Sequence, residues 1–235
     1  MLGRRLQAAK NYKVWKKELP SEVAFWKNWI GGEAIPWQEE RRERLDPAMP
    51  LQKWARDLII APVGATVRLL DVGAGPATRL GKVWPKRTVL ITAIDPLADE
   101  FNRMLDEYGV KPPVRTQQGD GERLADGVQM DSFDLAYSIN ALDHCYDPLK
   151  AIKGMVRAVK PGCWVVLEHN VNEAEHETFH GLHQWNFCAE DGKFVIWNKQ
   201  QHIVVEDHLP LAAEVRAEVE AGGARDWLRV LIKRK

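Results

Sequence analysis

The chain has 235 residues, with 33 Lys and Arg balanced by 33 Asp and Glu, and is 45% hydrophobic and 28% charged. Those proportions are globular and exclude collagen, coiled coil and bulk disorder, and a chain this long buries roughly 70% of its unfolded surface without staples. Zero formal charge argues against broad electrostatic capture of nucleic acid or of an anionic membrane.

Cys145, Cys163 and Cys188 are an odd number with no CxxC pair, the usage of a reducing compartment. No run approaches 18 apolar residues. The basic segment Met1 to Pro20 (Arg4, Arg5, Lys10, Lys13, Lys16, Lys17) lacks the apolar core of a secretory signal and reads as a solvated helix. These features place the protein in the cytoplasm.

In chain order, Ser21 is an N-cap for a helix over 22–30, stopped by Gly31-Gly32. A short charged helix over 39–45 ends near Asp46-Pro47, and 51–60 reads as a further amphipathic helix. Residues 1–60 hold five of the ten tryptophans and form a helical appendage to a domain spanning 61–235. From Thr66 the pattern becomes strand then helix. Strands are predicted over 66–71, 88–95, 114–118, 133–140 and 163–169, with helices over 79–84, 98–108 and 147–159. Short apolar strands alternating with helices imply a parallel sheet covered on both faces, and right-handed crossovers make it doubly wound. Two hairpins are expected, one over 184–189 and 193–198 turned by Asp191-Gly192. The other joins the strictly alternating 214–220 to 226–233 at the sheet edge, with a helix over 211–220 as the competing reading because Ala, Glu and Arg are helix formers.

Ligands of an open parallel sheet lie beyond the carboxyl ends of its strands. Asp71-Val-Gly73-Ala-Gly75 follows the first strand, where glycines admit a ligand to the backbone and a following helix would present free N–H groups. Thr78 stands where a dinucleotide fingerprint needs a third glycine or alanine. Asp95, at the end of the second strand, is placed to accept both hydroxyls of a ribose. Asp120 follows the third strand and can accept from an exocyclic amine, and Asn140 and Leu142 follow the fourth.

Through Leu69-Leu-Asp-Val-Gly-Ala-Gly75, Ala93-Ile-Asp95, Gln118-Gly-Asp120, Phe133-Asp-Leu-Ala-Tyr137 and Val159-Lys-Pro-Gly162, residues 66–170 resemble a class I S-adenosylmethionine-dependent methyltransferase of the small-molecule type. The resemblance implies a Rossmann-like seven-stranded sheet with an antiparallel last strand, with S-adenosylmethionine as the cofactor. It implies that Asp71, Gly73 and Gly75 lie along the methionine part, Asp95 and Pro96 at the ribose, Asp120, Gly121 and Glu122 at the adenine, and Asn140 and Leu142 at the methionine end.

The acceptor side is expected after the fourth and fifth strands. His144, His176 and His180 are candidate bases, and Trp29, Asp143, His169, His183 and Trp185 are candidate lining of the acceptor pocket. His176, His180 and His183 are spaced to share a helical face, which raises a metal site as an alternative, but Gly181 interrupts that helix and no metal is expected. An aromatic, histidine- and acid-rich pocket suits a small polyhydroxylated or aromatic molecule, and no basic groove suggests a nucleic acid. The expected activity is methylation of a hydroxyl on a sugar-containing or secondary metabolite, by a monomer or homodimer free of the membrane. Methylation of a small amine, cofactor binding without chemistry and, more distantly, nicotinamide-dependent oxidoreduction are the alternatives.

Overall fold

The computed structural model describes the backbone of residues 2–235 and the side chains of residues 10–235. Met1 and the side chains of Arg4 and Arg5 in the basic segment lie outside the described residues. The chain opens with α1 (Leu2–Gly31), α2 (Gln38–Leu45) and α3 (Lys53–Leu58). Then come β1 (Thr66–Val72), β2 (Thr88–Asp95), α4 (Ala98–Glu107), β3 (Gln117–Gln118), β4 (Phe133–Ile139), α5 (Pro148–Ala158) and β5 (Val159–Asn170). The rest holds α6 (Glu173–His176), β6 (Asn186–Glu190), β7 (Lys193–Trp197), β8 (His202–Val204), β9 (Ala212–Glu220) and β10 (Trp227–Arg234). No described helix is long and apolar enough to cross a membrane.

Seven strands form one sheet in the order β3-β2-β1-β4-β5-β10-β9. β3, β2, β1, β4 and β5 run parallel, and β10 pairs antiparallel with both β5 and β9, so the hairpin does occupy one edge. A crossover separates β1 from β4, and the order reverses there, which opens the crevice at the tips of β1 and β4. The predicted 184–198 hairpin is β6–β7, extended by β8 into a separate three-stranded sheet.

Each face of the large sheet buries its own set of apolar side chains. Leu70, Val72 and Ala136 pack with α5 and with Phe187, Phe194 and Ile196 of the small sheet. Val67, Leu69, Leu135 and Val166 on the other face pack on Leu51, Ala55 and Ile59 around α3. The carboxyl-terminal end of α1 packs on α4 through Trp29, Ile30, Leu97, Phe101 and Leu105.

Two local expectations fail for identifiable reasons, and two elements are shorter than expected. Ser21 caps nothing: α1 runs straight through Pro20, and the Ser21 hydroxyl donates to the Glu18 carbonyl 2.6 Å away. Lys10, Lys13, Lys16 and Lys17 are exposed, as a solvated basic helix requires. The predicted helix over 79–84 does not form. Its backbone is claimed by residues 49–52, with Lys82 and Val83 N–H donating to Met49 and Leu51 N–H donating to Val83. The Gln52 side chain takes Arg79 and Gly81 as well. The third strand shrinks to two residues, and α3 to six.

Candidate active site

A cavity of about 560 Å³ opens at the tips of β1, β2 and β4 and is walled by α1 and α2. Among its lining are Gly73, Gly75, Asp95, Pro96, Gly121, Glu122, Asn140 and Leu142, with Trp29, Asp143, His144 and His183. Six sequence candidates lie elsewhere: Asp71, Asp120, His169, His176, His180 and Trp185 are not part of it.

The glycine loop is held from three sides. Gly73 and Ala74 donate to the Ile94 carbonyl at 2.9 and 3.1 Å, and Gly75 donates to Asp95 Oδ2 at 3.1 Å. Gly73 and Gly75 have φ of +73° and +63°. A Cβ at Gly73 would lie 2.3 Å from the Ala141 Cβ, and one at Gly75 would lie 2.8 Å from the Trp26 ring, so neither position accepts a side chain. From behind, the buried Arg44 of α2 donates to the carbonyls of Ala74 and Ala77 at 3.2 and 2.8 Å and pairs with Glu40 at 2.7 Å. Its guanidinium also faces the rings of Trp26 and Trp29.

Asp71 sits beneath this loop. It accepts from the Thr78 hydroxyl, and Thr78 Oγ1 in turn receives the Leu80 N–H at 3.0 Å. Burial pushes Asp71 up to about 6, against the Thr78 hydrogen bond. Its role is to brace the turn, and the contact with a methionine moiety expected of it is not available from under the loop. No helix follows the loop, so no helix N-terminus presents N–H groups there.

Asp95 presents a different picture. Its Oδ1 accepts from Leu97 N–H at 2.9 Å and its Oδ2 from Gly75, so each oxygen keeps a second lone pair. Burial pushes it up to about 6. Asp120 caps the turn over 121–126 by accepting from Glu122 N–H, and its other oxygen accepts from the Tyr146 hydroxyl at 2.8 Å. Asp120 does not line the cavity, whereas Gly121 and Glu122 do. Glu122 accepts from the N–H groups of Tyr146 and Asp147, and burial beside Asp120 pushes it up to about 8. Asn140, at φ +41°, accepts from Asn170 N–H through its side chain at 3.0 Å and ties the tips of β4 and β5 together.

The acceptor-side histidines divide into two sets. His176 and His180 are exposed and off the cavity, which removes them as bases. α6 ends at His176, and Thr178 and Phe179 both take positive φ, so the helical face that would have aligned His176, His180 and His183 does not exist. His169 is buried on β5, its ring stacked on Phe187 at 4.3 Å, and burial pushes it down to about 4. Trp185 is buried, donating to the Cys145 carbonyl at 2.9 Å. Neither meets an acceptor in the cavity.

His144 and His183 form the second set. His183 Nδ1 lies 2.8 Å from Asp143 Oδ2 and 3.2 Å from His144 Nε2, and His144 Nε2 lies 3.4 Å from the same carboxylate oxygen. Burial would raise Asp143, but the facing His144 and the hydrogen-bonded His183 outweigh it and hold the carboxyl at about 2. Burial would lower His183, and the bond to Asp143 with its charge lifts it above the ordinary imidazole value instead.

Sequence reasoning missed Arg44, Glu22 and Arg225, whereas Trp26, expected as a possible wall of the pocket, does line it. Glu40 and Arg44 have the i, i+4 spacing of an ordinary surface pair, which gives no hint of burial. Arg225 follows the Gly222-Gly223 turn and reaches Glu173 and Glu177 at 2.5 and 2.7 Å, all three lining the cavity. The tryptophan density of the first sixty residues was the one available signal for α1 as a wall.

Residues 70–167 match the family model described as a methyltransferase domain. No curated protein sequence matches the chain. Among solved structures it is similar to a phosphoethanolamine N-methyltransferase 2 from Haemonchus contortus, in complex with phosphomonomethylethanolamine and S-adenosylhomocysteine, at 14% identity and TM-score 0.52 over 88% of this chain and 58% of that one. It is also similar to the C-methyltransferase domain of the citrinin polyketide synthase, at 14% identity and TM-score 0.51 over 74% of this chain and 48% of that one. An S-adenosylmethionine-dependent methyltransferase from Thermotoga maritima aligns at 14% identity and TM-score 0.50, over 87% of this chain and 96% of that one. The chain thus spans about half the length of the first two and nearly all of the third. The matched domain, the reversal of strand order between β1 and β4, and a glycine loop tied to the acid at the tip of β2 together support a class I S-adenosylmethionine-dependent methyltransferase.

Proposed function

We propose that this chain methylates a hydroxyl of a small molecule, a sugar-containing or other secondary metabolite, with S-adenosylmethionine as donor. The observation that carries this reading is that one cavity holds both the Gly73–Gly75 loop with Asp95 and the Asp143–His183–His144 cluster. The cofactor fits the first part: among the described residues Asp95 is paired with no cation, and it keeps lone pairs for the two ribose hydroxyls. Gly73, Gly75 and Asn140 would follow the methionine part, Pro96 the ribose, and Gly121 and Glu122 the adenine. When bound, S-adenosylmethionine supplies an electrophilic methyl on a charged sulfur.

A hydroxyl acceptor must lose its proton and hold a lone pair in line with that methyl. Asp143 fixes His183 by accepting from Nδ1–H, which leaves His183 Nε2 as the base, the Asp–His orientation familiar from acyl-transfer enzymes. Half-buried Trp15 and Trp26 and exposed Trp37 supply ring faces for a sugar or planar acceptor.

A second reading, methylation of a small amine, draws on the charge of the cavity. Seven acidic side chains line it against three guanidiniums, an acidic excess that suits a cationic acceptor. Incubating the protein with methyl-labelled cofactor and matched panels of hydroxylated metabolites and amines separates the two. Label on oxygen, with turnover down about a hundredfold in His183→Ala and S-adenosylhomocysteine affinity unchanged, supports the proposal. Label confined to nitrogen transfers the assignment to amines, and no labelled acceptor at all leaves a cofactor-binding module.

A further inference from the structure

Three potential ligand atoms meet on one wall of the cavity: Asp143 Oδ2 and His144 Nε2 from the turn after β4, and His183 Nδ1 from the segment between α6 and β6. Their separations are 2.8, 3.2 and 3.4 Å. Ligands about 2.0–2.2 Å from a first-row dication stand roughly 2.8–3.1 Å from one another in octahedral geometry and roughly 3.3–3.6 Å in tetrahedral geometry, so this triangle matches with shifts of a few tenths of an ångström. Hydrogen bonding satisfies the triangle poorly. The proton on His183 Nδ1 faces both a carboxylate and a second ring nitrogen, and Asp143 Oδ1 is buried with no partner among the described residues.

We propose that Asp143, His144 and His183 bind a divalent first-row cation, Zn²⁺ or Mn²⁺ in type, which takes the place of the shared proton. The inference rests on the hydroxyl-methylation reading for its use: with a cation on Nδ1 the His183 ring keeps its proton on Nε2 and no longer acts as the base, and the cation instead polarises and acidifies the acceptor hydroxyl. Two imidazoles and one carboxylate favour these ions over Mg²⁺ and Ca²⁺, which prefer all-oxygen sites. Beyond the ligands, Glu22 Oε2 lies 3.8 Å from His144 Nδ1, on the far side of the ring from the triangle. The acidic excess of the cavity lowers the electrostatic work of bringing a dication into it.

The test uses the full-length, tag-free chain, stripped with chelator and without cofactor. Co²⁺ titration followed by visible absorption and Zn²⁺ titration by calorimetry should each show one site. Asp143→Asn, His144→Ala and His183→Ala should each weaken it at least tenfold. His202→Ala, which removes an exposed histidine paired with Glu190, should change nothing. X-ray absorption of the Zn²⁺-loaded wild-type protein should count two imidazoles, a result that depends on no variant folding. Absence of saturable binding, fewer than two imidazoles, or undiminished affinity in the three variants overturns the site. Binding of S-adenosylhomocysteine, measured separately on the same samples, reports on the methyltransferase reading alone, so the two can fail independently.

Discussion

The backbone N–H of Gly75 donates to Asp95 Oδ2 at 3.1 Å, joining the glycine loop after β1 to the acid that ends β2. The same glycine lies under the Trp26 ring of α1. The loop is therefore shaped by β2 from one side and by the N-terminal helix from the other. Gly75→Ala adds a methyl at φ +63° and 2.8 Å from that ring. It should destabilise the fold by about 2–3 kcal/mol, from strain and overpacking together. Chemical denaturation of Gly75→Ala, Trp26→Ala and the double variant checks this, because the overpacking share should vanish when the ring is absent.

Arg44 is the second support of the loop. It is buried, and it answers two loop carbonyls and Glu40 at once. Arg44→Ala should cost about 3–5 kcal/mol, since it strands a half-buried carboxylate and two carbonyls. Arg44→Lys should recover less than half of that, because an ammonium lacks the planar fork. The midpoint of urea unfolding measures both.

Much of this architecture was legible before any coordinates. β1, β2 and β4 are short, mostly apolar stretches with a polar residue at or next to their ends (Asp71, Asp95 and Asn140), a pattern local enough to read, and the alternation of 214–220 announced β9. The segment after the glycine loop misled because Arg79 to Trp84 has acceptable helix propensity, while its true backbone partners, Met49 and Gln52, lie about thirty residues upstream. The histidines misled for a similar reason. A spacing of i, i+4, i+7 shares a face only while the helix continues, and α6 stops after four residues. The acid Asp120 was placed correctly along the chain, but its capture by Tyr146 is a long-range contact that no local pattern encodes.

Asp71 and His169 should tilt stability in opposite directions with pH. Burial raises Asp71 to about 6, so its contribution to stability is complete at low pH and is lost as pH rises through 6. Burial lowers His169 to about 4, so the unfolded chain takes up a proton first and stability falls as pH drops below about 6.5. Relative to wild type, Asp71→Asn should lose about 2 kcal/mol between pH 7.5 and 4.5, and His169→Phe should gain about 2 kcal/mol by pH 5. Unfolding curves across this range decide it, and parallel shifts in both variants would refute the burial argument.

His176 and His180 are exposed and lie off the cavity. Turnover of His176→Ala and His180→Ala should stay within about twofold of wild type, against the hundredfold loss expected for His183→Ala. Initial rates with the acceptor identified by labelling supply the comparison.

The most direct check of the cofactor assignment is calorimetric titration of the wild-type protein and of Asp95→Ala with S-adenosylhomocysteine. Binding to one site, weakened at least tenfold by the substitution while the fold persists, is the predicted result. Absence of binding to the wild-type protein, or equal affinity in the two, would contradict the placement of the ribose at Asp95.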